Sequence, residues 1–118
     1  LYSSTNFNII VASEVTSAAD HWELYTYAGS GALSIYLPGH GGEYRSEKAV
    51  CDGSWHHVAM QLEAGQVRLF VDGEPVLDRA IESPFPTPAD TLPGLTLMAI
   101  GRLVEGGIGC DGVIDEVR

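Results

Sequence analysis

The chain reads as an all-β protein, an antiparallel two-sheet β-sandwich, and three observations lead there. Fourteen glycines and six prolines are spread over 118 residues with no long apolar stretch of 3.6-residue period, a pattern of many short strands and frequent turns. Residues 51–76 hold two apolar runs of strand length, joined across Ala64-Gly65-Gln66 and closed by Asp72-Gly73, which is the signature of a hairpin followed by a second tight turn. Side chains alternate along a strand, so Val58, Met60 and Leu62 share one face and Val67, Leu69 and Val71 another. A hydrophobic content of 45% is enough for one core, and residues 1–118 are read as one domain.

Taken in order, Asn6 to Glu14 is a β-branched run expected as a largely buried strand. From Asp20 to Ala28 the chain alternates, with Trp22 and Leu24 on one side and His21, Glu23, Tyr25 and Tyr27 on the other. Gly29-Ser30-Gly31 turns it back, and Leu33, Ile35 and Leu37 resume the alternation as a second hairpin. Pro38 to Gly42 is a Gly-rich loop that suits either close approach of a ligand or a plain linker. Arg45 to Val50 leads as a short strand into the central hairpin, and Val76 to Ile81 is another. The proline cluster Ser83 to Pro88 does not suit a sheet interior and is read as a surface loop. Leu95 to Arg102 and Val113 to Arg118 are expected as strands, with residues 103–110 as a Gly-rich connection.

Six basic against sixteen acidic residues give a net charge of −10, which repels phosphate backbones and anionic membranes and excludes nucleic acid as the expected partner. The longest apolar run falls far short of the ~20 residues that a membrane-spanning helix needs. The chain begins at Leu1 without Met and stops at Arg118, and it is read as a piece of a longer polypeptide.

Two stretches carry a family resemblance. Asp52-Gly-Ser-Trp-His-His-Val-Ala followed by Val67-Arg-Leu-Phe-Val-Asp-Gly-Glu-Pro-Val, and the ending Ala99-Ile-Gly-Arg-Leu with Asp111-Gly-Val-Ile-Asp-Glu-Val-Arg, resemble the central hairpin and closing strand of laminin G-like (LamG-like) jelly-roll domains of the concanavalin A-like superfamily. The resemblance spans roughly residues 7–118 and implies a jelly roll. It also implies a structural calcium with Asp115 as a ligand, the other oxygens coming largely from backbone carbonyls. Other strand-end aspartates are weaker positions, and a solvated Asp115 with no metal is the competing reading.

Cys-Asp-Gly occurs at 51–53 and again at 110–112. Were the two strands side by side in register, Cα atoms ~5.5 Å apart would admit a Cys51–Cys110 disulfide; two separate thiols are the alternative. His56 and His57 are sequence neighbours that point opposite ways and do not chelate one metal together, so both are read as structural. His21 and His40 lack zinc-type spacing. The paired acidic motif of sugar-cleaving relatives, Glu-x-Asp-x-x-Glu, is missing, as are a Gly-x-Ser-x-Gly elbow and a phosphate loop. No enzyme is expected. Sugar sites place aromatic faces beside polar groups, which makes Tyr25, Tyr27, Tyr36, His40 and Tyr44 the candidate ligand patch; the rival reading has these tyrosines merely covering a sheet. Trp22 and Trp55 are read as core.

Together these readings describe a non-catalytic carbohydrate- or protein-binding or adhesion module of a larger extracellular, cell-surface or periplasmic protein. A structural spacer beside a catalytic domain, with no ligand of its own, and a truncated glycoside hydrolase are the alternatives.

Overall fold

The computed structural model describes residues 1–63, 65–82 and 97–118, and among these no helix occurs. Eight strands are present: β1 (Asn8–Ser13), β2 (Trp22–Thr26), β3 (Ala32–Leu37), β4 (Gly42–Ala49), β5 (Val58–Glu63), β6 (Gln66–Val71), β7 (Glu74–Ala80) and β8 (Met98–Ile100). They form a five-stranded sheet in the order β4-β3-β2-β1-β8 and a three-stranded sheet in the order β5-β6-β7, with every pairing antiparallel. The expected sandwich of two sheets is the observed architecture.

The core lies between the sheets. Leu24, Leu33, Ile35 and Leu37 from the larger sheet meet Val67, Leu69, Val71 and Leu77 from the smaller one, each set sharing a face because strand side chains alternate. The central hairpin registers as expected, with Val58 opposite Val71, Met60 opposite Leu69 and Leu62 opposite Val67. Its next turn is Asp72-Gly73, with φ of 53° and 83°. Two successive left-handed residues in a two-residue loop match the twist of the flanking strands, and Asp-Gly adopts them at low cost. The first strand departs from simple alternation through a bulge between Ile9 and Val11. The extra residue lets Ile10 and Val11 both enter the main core while Ile9 and Ala12 join a smaller cluster around Tyr25.

Several expectations are revised. The strand expected from Arg45 begins instead at Gly42, because Glu43 to Arg45 already pair with Ser34 to Tyr36. Of the expected strand from Leu95 to Arg102, Met98–Ile100 forms a strand and Arg102 makes an isolated bridge to Gly109; its first two residues, like the Ser83–Pro88 loop and Ala64, lie outside the described residues. The segment Val113–Arg118 is not a strand. It has no ladder partner among the described residues, and Glu116 turns to a φ of 52°, with its N–H held 2.8 Å from the Asp115 carboxylate, so the extended run is broken there. Finally, Trp55 is not core but 71% exposed, whereas Trp22 packs partly buried against the core.

Candidate functional site

The face of the larger sheet turned away from the core gathers the polar and aromatic side chains. Across β2, β3 and β4 the register places Glu23, Tyr36 and Glu43 in one row and Tyr25, Ser34 and Arg45 in the next. Residues in such rows share a face and sit about 5 Å from their neighbours on the adjacent strands. Tyr27 follows just past the end of β2, and its ring lies under the Arg45 guanidinium, 3.1 Å from carbon Cζ to the ring centroid. Phe7 meets the same ring edge-on, with centroids 5.4 Å apart.

Each charge on this face is held by a neighbour. The Tyr25 hydroxyl donates to Glu43 Oε2 at 2.7 Å, and the Arg45 guanidinium donates to Glu43 Oε1 at 2.7 Å. Burial opposes the Glu43 carboxylate, yet the bonds from Tyr25 and Arg45 outweigh it and hold the carboxyl below its usual range. Tyr25 is pushed far above the ordinary phenol range, first by burial and then by the Glu43 carboxylate that its proton serves. His21 is fully buried beneath the row. Its Nδ1 lies 2.9 Å from the Glu14 carbonyl, which only accepts, so Nδ1 carries a hydrogen. Its Nε2 lies 2.7 Å from Glu23 Oε1, and its ring meets Tyr36 edge-on at 6.1 Å.

The five residues expected as a ligand patch therefore divide. Tyr25, Tyr27 and Tyr36 share the outer face, though the Tyr25 ring is buried and only its neighbours are open to solvent. Tyr44 is opposite Ile35 and so faces inward, packed against the main core, with its hydroxyl donating to the His40 carbonyl at 2.7 Å. His40 is buried in the turn between β3 and β4, where its N–H donates to the Leu37 carbonyl. Glu43, Arg45 and Phe7 belong to the face and were not singled out from sequence. The signal is the alternation Glu43-Tyr44-Arg45, hidden when that strand is started three residues too late, at Arg45 rather than Gly42.

A second concave surface runs between β5 and β8, the edge strands of the two sheets among the described residues. It is a groove of about 800 Å³ walled by Trp22, Trp55, Met60 and Met98 and by the chain from Val113 to Arg118. Asp115 is exposed on that last segment, one carboxylate oxygen already accepting from Glu116. Among the described residues no three His, Cys, Asp or Glu side chains gather as a metal site.

Cys51 and Cys110 are free, half-buried thiols, not a bonded pair. The N-terminal dipeptide bonds to both Cys-Asp-Gly turns: the Leu1 carbonyl accepts from Gly53 N–H at 3.0 Å, and Tyr2 N–H donates to the Asp111 carbonyl at 2.9 Å. Cys51 Sγ lies 3.4 Å from Thr26 Oγ1 and 3.7 Å from the Asn8 amide nitrogen. Burial pushes the Cys110 thiol up.

No curated protein matches the chain. A laminin G family model, described as the concanavalin A-like lectin/glucanases superfamily, matches residues 2–118. With two antiparallel sheets stacked over one core and a match of that extent, the chain belongs to this superfamily.

Proposed function

We propose that this chain is a non-catalytic recognition module that binds carbohydrate on the outer face of its larger sheet. The observation that carries the reading is the row Glu23, Tyr36, Glu43 beside Tyr27 and Arg45. A pyranose presents C–H groups on one side and hydroxyls at its rim, and such a ligand is matched by a ring face flanked by fixed acceptors and a fixed guanidinium. Because hydrogen bonds hold Glu43 and Arg45 in place, little side-chain freedom is lost on binding. Glu43 is held by Tyr25 and Arg45, and Glu23 by His21, so each carboxylate of the face has a fixed partner, as a binding surface requires. The setting in a larger extracellular protein is carried by the family resemblance, and the reading makes no use of calcium.

The test is a glycan array followed by calorimetry on any hit, with and without calcium, on the wild-type chain and Tyr36→Ala. The reading expects a hit that Tyr36→Ala weakens at least tenfold and that calcium leaves unchanged. Neither a hit nor heat with any glycan would identify a spacer, and release of reducing ends from a polysaccharide would identify a hydrolase; either outcome overturns the proposal.

A further inference from the structure

Away from that face, one histidine is held in a way that fixes its charge. His56 is 13% exposed in its side chain, and both of its ring nitrogens face carboxylates from different turns. Nδ1 lies 2.8 Å from Asp72 Oδ2, and Nε2 lies 3.0 and 3.1 Å from the two oxygens of Asp52. An ionised carboxylate only accepts hydrogen bonds, so two such partners require a hydrogen on each nitrogen, which is the imidazolium form. The two carboxylates differ in how else they are held. Asp72 Oδ1 accepts from His57 N–H at 2.9 Å, and Asp72 N–H donates to the His57 carbonyl at 2.7 Å. Asp52 is held besides by Ser54, in its own turn, whose N–H donates to it at 2.9 Å. Trp55, next to His56 in sequence, stands at the rim of the groove between β5 and β8.

We propose that Asp52, His56 and Asp72 form a proton-operated latch that fastens the 51–57 segment to the turn between β6 and β7 and so sets the position of Trp55 at the groove. When His56 releases its proton to solvent, one ring nitrogen becomes an acceptor and repels the carboxylate it faces. The bond to Asp52 is the one that opens, since Asp72 stays tied to the His57 backbone. The other charged groups nearby are Lys48, which acts on Asp72, and His57, Asp115, Glu116 and Arg118, which line the same groove; Arg118 is paired with Glu116 at 3.7 Å. The hydrogen bond to Asp72, and after it those to Asp52, outweigh burial and raise His56 above its ordinary value.

The experiment follows the ring nitrogens of His56 and the indole N–H of Trp55 by NMR on the full chain from pH 5 to 9. The latch predicts doubly protonated His56 at pH 6 and a Trp55 shift whose midpoint coincides with that of His56, above the ordinary ~6.5. Asp52→Asn lowers both midpoints together, and His56→Gln leaves the Trp55 signal flat across the range. A neutral His56 at pH 6, or a His56 titration that leaves Trp55 unmoved, overturns the proposal. Asp52 is exposed at a turn, so its variant keeps the test decisive even where His56→Gln does not fold.

Discussion

Replacing Tyr25 by Phe removes one oxygen from the candidate face and nothing from its packing. The ring is 3% exposed and stays in the cluster with Ile9 and Ala12, so the change isolates the 2.7 Å bond to Glu43. A hydrogen bond to a charged group contributes roughly 1.5–3 kcal/mol. The Glu43 side chain is 37% exposed and keeps Arg45, and solvent screening on that scale brings the expected loss to about 1 kcal/mol. Urea unfolding at pH 7 should show a lower midpoint at unchanged slope. The same bond carries a pH signature. Glu43 has a folded pKa below its unfolded value, so its contribution is fully present above the unfolded value, near ~4.3, and is lost as pH falls through the folded one. The gap between wild type and Tyr25→Phe should therefore close below about pH 4. Equal stability at pH 7, or a gap of the same size at pH 3, would refute the account of this face.

Three further outcomes follow from the packing and the charges. Gly29 and Gly31 both have positive φ, but a Cβ at Gly29 meets nothing, whereas one at Gly31 falls 2.8 Å from Cys51 Cβ and 3.2 Å from Ser4 Cβ. Gly29→Ala should cost about 1 kcal/mol of left-handed strain, and Gly31→Ala that amount plus about 1–3 kcal/mol of overpacking, measured by denaturant unfolding; equal losses would contradict the close approach. Stability against pH should show a plateau set by the latch: the His56 share is present below about 6.5 and lost as pH rises through its raised folded value. The Asp52 and Asp72 shares are present above about 3.8 and lost as pH falls through their lowered ones. Thermal melts from pH 3 to 9 check both edges. Thiol titration of the unreduced chain in denaturant should count two free thiols, and the folded chain should be modified more slowly at Cys110 than unfolded chain because burial holds its thiol protonated; a count of zero would mean a bonded pair.

Much of the architecture was legible because it rests on local periodicity. Leu33, Ile35 and Leu37 alternate into the core, and Asp72-Gly73 can hardly be anything but a tight turn. What was not legible depends on pairing between distant segments. Whether Trp55 is covered is decided by what lies beside β5, and no residue within the Trp-His-His motif records that. The rigid division of Tyr36 from Tyr44 follows from the register of β3 against β4, and that register shifts at an irregularity between Ala32 and Ser34. The cysteine echo does not record a bond: Cys51 and Cys110 are free thiols, and the backbone of Leu1 and Tyr2 bonds to both turns. His56 was read as structural, and its two carboxylate partners, four and sixteen residues away, give that role its physical content.

The most direct measurement is an amide NMR titration of the isotopically labelled chain with a glycan found on the array. Shifts concentrated on Tyr27, Tyr36, Glu43 and Arg45 are the outcome that the account predicts. Shifts confined to Trp55, Met98 and residues 113–118 would place the ligand in the groove instead and contradict it.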